Sequence, residues 1–153
     1  MKNKINITNK KAKFEYEILD KYNAGIVLTG SEIKSIRLGK ASIAESFCEF
    51  NESIELFIVN MTIENYSFSS AFNQIPKSTR KLLLNKKELL KLNKSVKNSG
   101  LTIIPLRVYL SDKGLAKIEI ALAKGKKLYD KRQTLIDRDN KRNLDRIKKE
   151  NKN

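Results

Sequence analysis

The chain has 153 residues, 40% of them hydrophobic, and a formal net charge of +15. That is one domain's length, with a charge that suits a polyanionic partner, since Lys and Arg contacts to phosphates release counterions and attract at long range. A single cysteine, Cys48, excludes an intrachain disulfide and any multi-cysteine metal site, and the absence of histidine removes the commonest general base and every Ser-His or Cys-His nucleophile pair.

Taken in order, residues 1–6 lack the apolar core of a signal peptide, and no apolar run approaches the roughly 20 residues that span a bilayer. A soluble protein of the reducing cytoplasm is therefore expected, without a membrane partner. Residues 14–20 alternate apolar and charged positions, the period of a strand with one buried face. A turn at Tyr22-Asn23-Ala24-Gly25 is expected to feed Ile26-Val27-Leu28. Thr29-Gly30-Ser31-Glu32 has the spacing of a capping box and predicts a short helix that buries Ile33 and Ile36 and stops at Gly39. Residues 46–50 and 54–59 read as a hairpin, and the Ser, Asn and Pro of residues 66–76 as a long loop. Leu82-Leu83-Leu84 predicts a short buried strand. Asn85-Lys86-Lys87-Glu88 is a second capping-box spacing, before a helix of about three turns ending near Gly100. Residues 101–110 and 115–123 flank the turn Ser111-Asp112-Lys113-Gly114 as a last hairpin.

About seven short strands with two short helices and no βαβ alternation point to a mainly β fold, a closed or partly closed antiparallel barrel. It occupies residues 1–123. From Lys124 onward the character changes: twelve Lys or Arg residues face five acids, a net of +7 over residues 124–153. The five aliphatic residues there, Leu128, Leu135, Ile136, Leu144 and Ile147, are too scattered to offset the entropy of ordering the tail alone, so it is expected to be disordered until a partner orders it. Lys outnumbers Arg 25 to 7, as an AT-rich genome alone produces, although such a bias enriches Glu as readily. Gly39-Lys40 and Gly125-Lys126 lack the spacing of a phosphate loop, and Glu15/Glu17 and Asp137/Asp139 read as solvated pairs. Cys48, between Phe47 and Phe50, reads as a small core residue. Binding rather than catalysis is expected, with no cofactor and no metal.

Four blocks in fixed order then become specific. They are Asn9-Lys10-Lys11-Ala12-Lys13 with Tyr16; residues 24–35, AGIVLTGSEIKS; Arg80-Lys81-Leu82-Leu83-Leu84-Asn85; and Ala123-Lys124-Gly125-Lys126-Lys127 with Asp130-Lys131-Arg132. On these the chain resembles, nearly end to end, the SsrA-binding protein family (small protein B, SmpB), the partners of bacterial transfer-messenger RNA. The resemblance implies an oligonucleotide-binding (OB-like) barrel with two or three short helices. It implies an adaptor that grips the tRNA-like domain of transfer-messenger RNA. The complex then enters stalled ribosomes for trans-translation, with elongation factor Tu-GTP acting through the RNA. The tail would occupy the empty mRNA channel and decoding centre, forming a helix there.

By matching position, the resemblance assigns RNA contacts on the barrel to Asn9, Lys10, Tyr16, Arg80, Lys81, Leu83, Lys117 and Lys124. The cations among them would neutralise phosphates, and Tyr16 or Leu83 would pack on unstacked bases. To the ribosome it assigns Gly125, Lys126, Lys127, Tyr129, Asp130, Lys131, Arg132 and, near the tail's end, Ile147. Asn23 stands where the family often has Glu, Ser78 where it often has Arg, and Lys148 at a frequently apolar position. Three rivals stay open: a general single-strand binder, a basic protein of membrane surfaces, and a nuclease. The few aromatics weigh against the first, the lack of a broad apolar tail face against the second, and the missing histidines against the third.

Overall fold

The computed structural model describes residues 5–66, 76–97, 100–126 and 128–150, and the side chains of all these except 128–131, 134, 145 and 147–150. The two apolar runs around Ser111-Asp112-Lys113-Gly114 form the expected hairpin, β8 (Leu101–Leu110) with β9 (Ala116–Gly125). Ser111 closes its turn twice, donating its backbone N–H to the Leu115 carbonyl at 2.8 Å and accepting the Leu115 N–H on its hydroxyl at 3.1 Å. The other edge of β9 pairs with β2 (Tyr16–Ile26). From β2 the sheet runs on through β7 (Arg80–Leu83), β5 (Leu56–Val59) and β4 (Phe47–Phe50) back to β8. Six antiparallel strands thus close into a barrel, as the sequence predicted. β1 (Asn6–Thr8) pairs along residues 107–109 of β8, and β3 (Ala41–Ser42) forms a small separate ribbon with β6 (Thr62–Ile63).

The expected turn at residues 22–25 does not exist. β2 runs unbroken through it, because β9 offers a partner at every step: Tyr22 faces Ile120, and Ala24 faces Ile118. What interrupts β2 is a bulge, one extra residue at Leu19 between the pairs Ile18–Ala123 and Asp20–Leu122. Since successive side chains alternate faces, one extra residue turns the strand over. Before the bulge Tyr16 and Ile18 pack outward under helix α1 (Ala12–Glu15); after it Tyr22, Ala24 and Ile26 pack inside the barrel. β8 carries a matching bulge at Leu106, beside Pro105, a residue that costs no ladder hydrogen bond at such a site. Ile103 and Val108 therefore face the barrel interior, while Ile104 and Leu106 face the small cluster under α1. The count of seven strands holds for the main sheet, but two predicted strands merge in β2 and β1 is gained.

Helices α2 (Gly30–Arg37) and α3 (Lys86–Val96) begin as the capping-box spacings predict, with Thr29 and Asn85 accepting the backbone N–H of Glu32 and Glu88 while each carboxylate returns to the cap N–H. Gly39, at φ +74, takes the left-handed conformation after α2. It lets its own N–H reach the Ile36 carbonyl and that of Lys40 reach Ser35. α2 buries Ile36 fully but Ile33 only in part, and α3 closes the core with Leu92. A fourth helix, α4 (Leu128–Glu150), carries the tail. The loop expected at 66–76 falls mostly on residues 67–75, outside those described. Among the described residues no helix is long and apolar enough to cross a membrane.

Cys48 lies on β4 inside the barrel core, and burial pushes its thiol far above the ordinary cysteine range. The folded protein should therefore resist a thiol-specific disulfide reagent at mildly alkaline pH and react fully once unfolded in guanidinium. A native rate above about a hundredth of the unfolded one would mean that β4 opens far more easily than a core strand does.

Candidate nucleic-acid interface

The two bulges determine what the barrel shows to solvent. Beyond them, the outer face carries a row in register across five strands: Leu83 on β7, Gly25 on β2, Lys117 on β9, Tyr109 on β8 and Asn6 on β1. Two pairs along, Asn23, Glu119, Arg107 and Thr8 form a second row. Leu83 is 52% exposed, and it lies over Gly25 so closely that a Cβ there would sit 3.4 Å from its own. The Tyr109 hydroxyl donates to Asn23 Oδ1 at 2.9 Å, the Arg107 guanidinium lies 4.3 Å above the Tyr109 ring centroid, and Arg107 Nε is 3.5 Å from Glu119. An apolar knob, a cation and a supported aromatic ring on one convex face can meet phosphates and unstacked bases together.

Lys81 shares this outer face and pairs with Glu55 at 2.5 Å. Lys81, then the Asn51 amide, hold the Glu55 carboxyl below its ordinary range. Asn9 does more for the fold than its polar surface suggested. Its backbone N–H and side-chain amide donate to the Leu106 and Pro105 carbonyls at 2.8 and 3.1 Å, clamping the β1–α1 elbow onto the β8 bulge. Its Oδ1 is buried without a hydrogen-bond partner. Lys10 is exposed on that elbow, whereas Tyr16 is half-buried against the small cluster of Ala12, Ile104, Ala121 and Ala123.

Arg80 contradicts the phosphate-neutralising role expected of it. Its side chain is 3% exposed, and its guanidinium donates to Glu32 Oε2, to the carbonyls of Met61 and Ser78 at 2.8 and 2.9 Å, and to that of Pro76 at 3.0 Å. Glu32 is the carboxylate that also closes the Thr29 cap, so one ion pair ties the start of α2 to β7 and to both sides of the 61–78 segment. Ser78 takes part through its backbone.

A model of the family described as SmpB protein matches residues 6–150. The chain belongs to the SmpB family. The SsrA-binding protein of Christiangramia forsetii is 66% identical over 152 residues, covering 99% of this chain and 96% of that one. The SsrA-binding protein of Flavobacterium psychrophilum is 67% identical over 146 residues, covering 95% and 97%. Among solved structures, a chain from work described as "tmRNA-SmpB: a journey to the center of the bacterial ribosome" is 44% identical, with a TM-score of 0.68 over 81% of this chain and 86% of that one.

Of the last of the four sequence blocks, Lys124 and Gly125 end β9, opposite Glu17 and Tyr16. Lys126 is tied to α1, its backbone N–H donating to the Glu15 carbonyl and its ammonium to that of Lys13, each at 2.9 Å. Lys127 lies outside the described residues; Tyr129, Asp130, Lys131 and Ile147 lie on α4 with side chains outside them, and Arg132 is exposed there. The structure gathers Lys81, Leu83 and Lys117 on the outer sheet face, puts Asn9, Lys10 and Tyr16 around α1, and withdraws Arg80 into the interior. The reading from sequence missed Tyr109 and Arg107. An unbroken alternation groups both with Ile103 on the buried face, and only the Leu106 bulge releases them.

Replacing Arg80 by Ala leaves the Glu32 carboxylate and three carbonyls without their donor, and removing one partner of a buried pair costs about 3–5 kcal/mol. Urea unfolding should show a loss of that size, with Lys recovering less than half because one ammonium cannot serve all four acceptors. A loss below about 1 kcal/mol would place the guanidinium in solvent.

Proposed function

We propose that this chain is an RNA-binding adaptor, not an enzyme. It binds the tRNA-like domain of transfer-messenger RNA on the outer face of its barrel and carries that RNA to stalled ribosomes in the cytoplasm for trans-translation. The match to the SmpB family across residues 6–150 carries this reading, and the row of Leu83, Lys117 and Tyr109 gives it a surface. On the barrel, Lys10, Lys81, Lys117 and Lys124 meet phosphates, Leu83 packs on a base, and Asn9, Tyr16 and Arg80 act by holding the elements that carry them. In the tail, Gly125, Lys126, Lys127, Tyr129, Asp130, Lys131, Arg132 and Ile147 engage the small subunit's decoding centre and message channel. Elongation factor Tu-GTP joins through the RNA.

The domain boundary on this reading is Lys124. α4 keeps Leu135, Ile136 and Leu144 at 43, 52 and 59% exposure, so its described aliphatic side chains gain little from packing on the barrel. A helix without a packed face is marginal in water. The tail therefore exchanges between helix and coil in the free protein and is held helical on the ribosome, which makes it effective only once the barrel has anchored the RNA.

The deciding experiment compares the intact chain with a form ending at Lys126, which keeps both Lys126 contacts with α1, on the isolated tRNA-like domain and on an unrelated RNA hairpin of equal length across a salt series. Both forms should prefer the tRNA-like domain; equal affinity for the two RNAs would make the chain a general basic binder. Lys117→Ala should lower the salt slope by about 1 without moving the urea midpoint. Amide hydrogens of 128–150 in the free chain should exchange at least about a hundredfold faster than those of β9, and equal protection would mean a folded tail.

A further inference from the structure

A groove of about 400 Å³ opens between the β1–α1 elbow and strands β2, β8 and β9. Its volume falls within the roughly 300–1,000 Å³ of small-ligand sites. Ile18 and Leu106 make an apolar floor, and Lys10, Lys13 and Lys21 stand around it. Arg107 forms a wall and is the informative residue. Its charge is answered by Glu119 at 3.5 Å, which leaves it little net attraction for phosphate. What remains is its plane, supported on the Tyr109 ring at 4.3 Å, while that ring is held by its hydroxyl's 2.9 Å bond to Asn23. The Arg107 side chain is still 40% exposed, so the guanidinium is not used up by these contacts. Unstacked RNA bases stack on such planes.

We propose that this groove takes one unpaired nucleotide of the bound RNA, its base stacked on Arg107 above the apolar floor and its phosphates met by Lys10, Lys13 and Lys21. Tyr109 and Asn23 are positioning residues that keep the guanidinium flat against the groove. The assignment rests on the RNA-binding reading above and adds a specific site to it.

The test uses the intact chain and the tRNA-like domain. Arg107→Lys keeps the charge and loses the plane, so binding should weaken about tenfold, in the range of one stacked base, with the salt slope unchanged. Tyr109→Leu should weaken it similarly, and Tyr109→Phe, which keeps the ring, by no more than about threefold. Because a variant can fail for structural reasons, the RNA is varied as well. Abasic substitution at each unpaired nucleotide should find one position that costs the unaltered protein about tenfold and costs the Arg107→Lys protein nothing further. Wild-type affinity in Arg107→Lys, or identical abasic penalties in both proteins, overturns the nucleotide site while leaving the adaptor reading intact. Loss of the preference for the tRNA-like domain in the unaltered protein overturns both.

Discussion

Strand β9 is hydrogen-bonded along both edges, to β2 and to β8, and this double pairing closes the barrel on which everything else stands. Closure removes the sheet's open edges and forces its two longest partners to stay in register with one strand. Straight, evenly alternating strands could not do so here. The extra residues at Leu19 and Leu106 absorb the mismatch, and each turns its strand over. One end of the β2–β9–β8 surface is thereby committed to the small core under α1. The other end presents Asn23, Glu119, Lys117, Arg107 and Tyr109 outward. The candidate interface follows from barrel closure.

A second constraint holds the opposite side. Arg80 and Glu32 are the most buried ion pair among the described residues, and four of the five guanidinium N–H groups are engaged, on one carboxylate oxygen and three carbonyls, while the carboxylate accepts from Arg80 and from the Thr29 N–H. Burying such charges is costly, so the pair adds little net stability over an apolar replacement, while loss of one partner leaves the other buried and unpaired. It ties α2 and β7 to Met61, Pro76 and Ser78. A cation that resembles an RNA ligand in sequence thus holds the strand that displays Lys81 and Leu83 to solvent.

The excess of positive charge is spread over both parts of the chain. Residues 1–123 hold twenty cations against twelve acids, a net of +8, and residues 124–153 hold twelve against five, a net of +7. Arg107, paired with Glu119 and laid on the Tyr109 ring, offers its plane more than net field. On the proposed reading the barrel's excess meets the transfer-messenger RNA, and the tail's, denser along the chain, meets the ribosome. The Lys126 contacts tie the end of β9 to α1, the chain's first helix.

Much of this was legible locally. The strand character of residues 16–20, 47–50, 56–59, 101–110 and 116–123, the capping boxes at Thr29 and Asn85, the Ser111–Gly114 turn and the four family blocks depend on residues a few positions apart, and the sequence by itself determined them. It also determined the polyanion-seeking charge and the lack of histidine chemistry. Tertiary structure alone decided which face each side chain occupies: that Tyr22-Asn23-Ala24-Gly25 is strand, that Arg80 is interior and that Arg107 and Tyr109 are surface. The physical reason is that a bulge or a buried ion pair arises from pairing between segments distant in the chain. One residue of slip, set by the partner strand, reverses the face of every residue after it.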